Sequence, residues 1–207
     1  MGVYVGTDSI ETALAIFRRH GGVLRTSEAI RQGIHPRTLY ALRDSGVIQS
    51  LGRGLYRLAA LPPLSNPDLV IVARKFPQAV ICLVSALAFH ELTTQVPYAV
   101  DVALPSRVEH PALDYPPIRT FWFSGRARSE GIQTYRVDDT AVRIYIPEKS
   151  VTDSWKYRHK LGLDVALEAL KLYRQRRDFD VTKLAEYARH AACRVEKVVR
   201  PYLEALL

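Results

Sequence analysis

The sequence predicts an α+β protein: an N-terminal winged helix-turn-helix followed by a mixed α/β C-terminal domain that ends in several helices. Three observations predict it. Residues 1–60 read as three short helices and an arginine-tipped hairpin. Leu61-Pro62-Pro63-Leu64-Ser65-Asn66-Pro67 holds too many prolines to continue a helix or a central strand. Beyond it, period-two apolar runs come first and helical periodicity later. The expected organisation is therefore a DNA-binding-type module over 1–60, a linker over 61–67 and a second domain over 68–207.

Each element follows from local pattern. Thr7-Asp8-Ser9 offers N-cap side chains ahead of Ile10, Ala13, Leu14, Ile16 and Phe17, and Gly21-Gly22 ends that helix. Thr26 or Ser27 is the expected cap of a short second helix closed by Gly33. Pro36 suits the first position of a third helix that runs to Ser45 and buries Leu39 and Leu42. Arg37, Tyr40, Ala41 and Asp44 then face away from those leucines, with Thr38 and Arg43 at the flanks. Val47–Leu51 and Leu55–Leu58 read as strands joined at Gly52-Arg53-Gly54.

In the second domain, Asp68–Lys75 reads as a helix, Ala79–Leu83 as a strand, and Ser85 as the cap of a helix through His90. Ala99–Leu104, Ile118–Phe123 and Val142–Ile146 alternate as strands, separated by turns at Gly125, Gly131 and Asp138-Asp139. Four helices are expected after Pro147, over Ser150–Leu161, Asp164–Arg177, Thr182–Ala192 and Arg194 to the end.

The net charge is +8, and its placement carries information. Residues 1–60 hold eight Lys/Arg against four Asp/Glu, residues 61–149 nine against nine, and residues 150–207 twelve against eight. Both ends suit a polyanionic partner and the middle does not. No apolar run approaches the roughly 20 residues that span a bilayer, and Met1–Ile10 lacks a basic leader with an apolar core, so a cytoplasmic location is expected. Cys82 and Cys193 are expected as buried thiols.

The order of three helices and a hairpin implies a DNA face. Arg37, near the start of the third helix, would reach a guanine edge in the major groove. Arg53 at the wing tip would meet phosphate or the minor groove, with Tyr56 and Arg57 supporting it or touching the backbone. Thr26, Ser27, Thr38, Tyr40 and Arg43 complete the candidate DNA-binding set. A three-helix unit with a hairpin also serves as a protein-interaction module, and that alternative stays open beside the DNA reading; a phosphate-binding loop at Gly52-Arg53-Gly54 lacks the full glycine spacing and the following helix.

No catalytic pattern competes with this. There is no HExxH and no Cys/His cluster, Ser85 lacks flanking glycines, and no metal or cofactor is expected. A metal-dependent nuclease would have to use Asp101 with Glu148 and Lys149, two neighbours that point to opposite sides of an extended chain. The segment Lys149–Lys160 interleaves cations with Trp155 and Tyr157, a mixture that suits a phosphate-rich or acidic partner if the aromatics do not pack inward.

Two stretches carry a resemblance. Ser85–Pro97 followed by Val100–Pro105, and Ile146–Asp153 running through Lys156-Tyr157-Arg158 to Gly162–Leu170, resemble the AbiEi family of antitoxins. The likeness runs from about Thr12 to about Tyr173. It implies a two-domain antitoxin of a type IV toxin–antitoxin system linked to phage defence. In such a protein the winged helix binds inverted repeats in the operon's own promoter and represses it, two copies meeting on the DNA. The second domain contributes to repression and counters a nucleotidyltransferase-like toxin without forming a stable complex. Under this resemblance Arg37, Tyr40, Arg43, Arg53 and Arg57 match the DNA face. Lys149, Asp153, Lys156, Arg158 and Asp164 are nominated for antitoxicity. The alternative is a plain regulator, unconnected to any toxin, whose second domain senses a ligand or binds a protein.

Overall fold

The computed structural model describes residues 6–106, 108–109, 112–189 and 194–206. The chain divides into two compact units. One is Met1–Pro77 with Leu113–Pro116 and Arg136–Ala141, and the other is Gln78–Ala112 with Pro117–Tyr135 and Val142–Leu207.

The first unit opens with α1 (Thr7–Arg19), β1 (Val23–Arg25), α2 (Thr26–Arg31) and α3 (Pro36–Asp44), then the hairpin of β2 (Ile48–Gly52) and β3 (Leu55–Leu58). The strands form an antiparallel sheet in the order β1-β3-β2. This is the element order of a winged helix. Phe17, Leu24, Leu39, Leu42 and Ile48 are buried in one apolar cluster, drawing α1, β1, α3 and β2 together. Removal of such side chains from water is the main stabilising term of a unit this small.

Two caps differ from expectation. The N-cap of α1 is Gly6, and Thr7 is already helical. The N-cap of α2 is Arg25, whose backbone N–H donates to Glu28 Oε2 at 3.0 Å. Because β1 runs straight into α2, no residue is left over for Thr26 or Ser27 to act from outside the helix, and Glu28 meets the need from within.

The helix α4 (Pro67–Lys75) also belongs to the first unit. Asn66 caps it by accepting from Leu69 N at 3.3 Å, with Pro67 in the first turn, where a missing N–H costs nothing. Ile71 packs with Val23 and Leu55. The segment 61–67 that precedes it is held at both ends. Arg57 donates to the carbonyls of Leu61 and Pro62, and Asp138 Oδ2 accepts from Ser65 N, Ser65 Oγ and Asn66 N.

The second unit is built on a mixed sheet in the order β6-β5-β4-β8-β7, with β4 (Val80–Ile81), β5 (Val100–Pro105), β6 (Ile118–Phe123), β7 (Ile132–Val137) and β8 (Thr140–Tyr145). β5 runs parallel to β6 and antiparallel to β4, and β4 runs parallel to β8. α5 (Leu83–Phe89) and α6 (Arg126–Ser129) interrupt the strands. The helices α7 (Pro147–Lys156), α8 (Arg158–Leu161), α9 (Leu163–Arg174), α10 (Val181–Arg189) and α11 (Glu196–Leu206) follow. Their common core holds Leu87, Trp155, Leu170, Tyr173 and Leu184, all fully buried.

Several expectations are corrected here. Ser85 lies inside α5, whose N-cap is Cys82, because the buried Asp101 carboxylate accepts from Val84 N at 3.0 Å and satisfies that end of the helix. Ser85 Oγ instead donates to Ala99 O and accepts from Asp101 N. β7 falls where only turns were expected. It is an edge strand with exposed Gln133, Thr134 and Arg136, so it carries little of the apolar alternation that marks a half-buried strand. The expected single helix over Ser150–Leu161 begins at Pro147 and breaks at Tyr157, where Arg158 Nη1 turns back to Trp155 O at 2.8 Å. Trp155 packs inward. Cys82 is a buried free thiol, and Cys193 lies outside the described residues, as does the end of the expected Thr182–Ala192 helix beyond Arg189. Among the described residues no helix is long and apolar enough to cross a membrane.

Candidate nucleic-acid interface

The surface of α3 is prepared by its own start. His35 accepts from Arg37 N through Nδ1 at 3.1 Å, and Pro36 follows in the first turn. Leu39 and Leu42 are buried, which turns Arg37, Tyr40 and Arg43 outward. Tyr40 is 42% exposed, and the Arg43 guanidinium sits 4.9 Å from its ring centre. Arg43 also pairs with Asp44 at 2.8 Å, both side chains well exposed, so this pair orients the arginine more than it stabilises the fold. Thr38 is buried at 6% exposure and supports α3 from beneath.

The hairpin supplies the second part. The ladder slips between Ser50 and Gly52, and Gly52 and Gly54 take φ of 143° and 65°, conformations that leave Arg53 at the tip. Arg53 is exposed. Tyr56 and Arg57 are not: all four residues of β3 are buried, Arg57 to 4% exposure, and its guanidinium is occupied by the Leu61 and Pro62 carbonyls. Thr26 is half-buried beside the wing, its N–H donating to Gly54 O at 3.0 Å, and Ser27 is exposed next to it.

Two cations that the sequence reading left out stand at the same place. Lys75, from α4, donates its ammonium to the carbonyl of Arg53. Arg25 ends β1, paired with Leu55 across the sheet, and its Nε and Nη2 are shielded from solvent without a hydrogen-bond partner. Partial burial, and after it the neighbouring Arg25 and Arg53, hold the Lys75 ammonium below its ordinary pKa. Three cations crowded at a hairpin tip form a favourable seat for a phosphate. Nothing in local periodicity marks Lys75, because its place depends on α4, which begins nine residues beyond the hairpin, folding back onto it. Arg74, its neighbour, has a structural task, donating to His20 O and Thr140 Oγ1.

The five residues nominated in the second unit are not brought together on a surface. Lys149 and Asp153 pair with each other at 2.7 Å, their side chains only 5% and 4% exposed, and the ammonium lies 4.4 Å from the Tyr145 ring centre. Arg158 is spent on the Trp155 carbonyl, Lys156 lies against the Phe123 and Tyr157 rings, and Asp164 is exposed in the first turn of α9. The candidate nuclease pair is likewise separated by its partners, Asp101 with Arg119 and Glu148 with Lys183. Among the described residues, no group of three or more His, Cys, Asp or Glu side chains is placed to hold a metal ion.

The cations of α3 and the wing fall within one stretch of chain. Residues 11–59 match the family model described as "Transcriptional regulator, AbiEi antitoxin". The AbiEi match covers most of α1 and all of the elements through β3, that is, the helix that displays Arg37, Tyr40 and Arg43 and the hairpin that displays Arg53. Over most of its length the chain is similar in fold to the crystal structure of the RV2827C protein from Mycobacterium tuberculosis. The TM-score is 0.59 at 13% identity, covering 91% of this chain and 73% of that one. No curated protein matches the chain.

Proposed function

We propose that this chain is a cytoplasmic transcriptional repressor that binds inverted repeats in its own promoter as two copies, and that it is the antitoxin of a two-gene type IV system. The reading rests on one observation: a winged helix whose residues 11–59 match an AbiEi antitoxin regulator model displays Arg37, Tyr40 and Arg43 on α3 and Arg53 on its wing. α3 lies in the major groove, Arg37 reads a guanine edge, and the wing cations Arg25, Arg53 and Lys75 neutralise backbone phosphate. Tyr56, Arg57 and Thr38 hold this face in shape from the inside, and Thr26 and Ser27 flank the wing.

The partner gene product is a nucleotidyltransferase-like toxin, opposed without a stable complex and in the setting of phage defence. No reaction is assigned to the chain itself. Binding of the purified protein to a fluorescent fragment of its own upstream DNA, against scrambled competitor and over a range of salt, tests the first half. Tight, salt-sensitive binding that survives the competitor supports it, and equal affinity for scrambled DNA refutes it. Co-expression with the neighbouring gene tests the second half. Rescue of growth is expected, and a neighbour that is harmless alone sinks the antitoxin role.

A further inference from the structure

The second unit carries a cleft that the regulatory reading does not use. It lies where β6, the outer strand of the sheet, meets α8. Two adjoining cavities, of about 160 and 470 Å³, share Arg119 and Lys160 in their walls. The larger is within the range of about 300–1,000 Å³ common for small-molecule sites.

Arg119 is fixed by a built support. Asp101, directly beside it across the parallel β5–β6 ladder and itself fully buried, accepts from Arg119 Nε at 2.6 Å and Nη2 at 2.8 Å. The same carboxylate is held by Val84 N. The guanidinium is thereby positioned between the Tyr98 and Phe121 rings, at 5.7 and 5.4 Å from their centres, with a third of the side chain open to solvent. Two exposed groups stand beside it: Lys160, whose ammonium lies 5.9 Å from the Tyr157 ring centre, and Tyr98. Lys160 is exposed and, among the described residues, has no carboxylate partner, so the cleft keeps a net positive charge. Tyr98 is 78% exposed, so most of its ring is open to solvent beside the Arg119 guanidinium.

We propose that this cleft binds a nucleotide unit, its phosphate held between Arg119 and Lys160 and its base stacked on Tyr98. A pre-oriented guanidinium with a mobile ammonium is a phosphate seat, and an exposed ring beside it is a stacking platform for a base. An acidic peptide would engage the cations and leave Tyr98 in water. The unit arrives either as a free nucleotide or as the end of a single strand, and this assignment is independent of the DNA face in the first unit.

The test is a titration of the full chain with AMP, inorganic phosphate and fluorescent hexathymidylate, repeated with Lys160→Glu, Tyr98→Ala and the double variant Arg37→Ala/Arg53→Ala. Both side chains are exposed, and urea unfolding of each variant checks that the fold is kept. Saturable binding of AMP or hexathymidylate is expected, weakened at least about fivefold in each cleft variant and retained in the winged-helix double variant. AMP competing with the oligomer identifies a free nucleotide, and oligomer binding that AMP does not displace identifies a strand. Inorganic phosphate binding as well as AMP, no saturable binding at millimolar ligand, or loss of oligomer binding only in the winged-helix variant would each overturn the proposal.

Discussion

Changing Arg53 to Ala and Lys75 to Gln together removes two of the three cations at the wing tip and leaves the α3 face untouched. Each phosphate neutralised by a Lys or Arg contributes about 0.9 to the slope of log K against log salt. Two lost contacts therefore flatten the slope by about 1.8, so across a roughly fourfold rise in salt the parent loses about 12-fold more affinity than the variant. Gln at 75 keeps a donor for the Arg53 carbonyl, which Lys75 now holds, so the hairpin retains its tie to α4. Anisotropy of the labelled upstream fragment at several salt concentrations measures the slope, and scrambled competitor measures preference. Preference should persist while the slope falls. An unchanged slope would show that the wing cluster does not meet the backbone, and the interface would then have to be redrawn around α3 alone.

Other outcomes follow from the same geometry. Arg37→Ala should relax discrimination against changed operator base pairs by about 1–3 kcal/mol with little change in salt slope, and equal loss on all sequences would contradict it. Arg57→Ala should leave DNA affinity per folded molecule intact but cost about 1–3 kcal/mol in urea unfolding, because the Leu61 and Pro62 carbonyls lose their donor. Leu39→Ala should cost about 2–5 kcal/mol in the same assay, since that side chain is fully buried beneath the α3 face, and a loss under 1 kcal/mol (roughly) would contradict this packing. Burial holds the His90 imidazole below its ordinary pKa, against the Tyr145 carbonyl that accepts from its Nε2–H at 2.7 Å. The folded state therefore takes up that proton less readily than the unfolded chain, and stability is full above the ordinary histidine range and declines as pH falls through it. His90→Gln should shrink the decline between about pH 7 and 5, and an unaltered acid slope would rule out His90 as its source.

The elements that could be read from residues alone are those whose pattern is local. Leu39 and Leu42 at three-residue spacing, Pro36 before them and Gly46 after them define α3 without help from the rest of the chain. The Gly52-Arg53-Gly54 turn does the same for the wing. What escaped depends on partners distant in sequence. Arg57 looks like a surface cation of the hairpin, yet the carbonyls of the following proline-rich segment draw it inward. Ser85 looks like a cap until Asp101, from another strand, takes over that end of α5. Lys149 and Asp153 look like members of a solvated helix face, but α10 packs against α7 and Gly131 comes so close that a Cβ there would lie 2.7 Å from the Lys149 side chain. At the candidate interface, the exposure of Arg37, Tyr40, Arg43 and Arg53 was legible and the placement of Arg25 and Lys75 beside the wing was not, because charge clustering is a property of the fold and not of the string.

The enclosed Lys149–Asp153 pair also constrains how this chain can change over generations. Loss of either partner strands the other's charge away from water, a step of about 3–5 kcal/mol, comparable to the whole margin of many small domains. Two apolar residues of similar volume in their place would be close to neutral. The two positions are thus inherited as a couple, stable in either of two states and exposed to selection in between. Descendants should carry both charges or neither, so the pairing can persist in lineages without any demand from a binding partner.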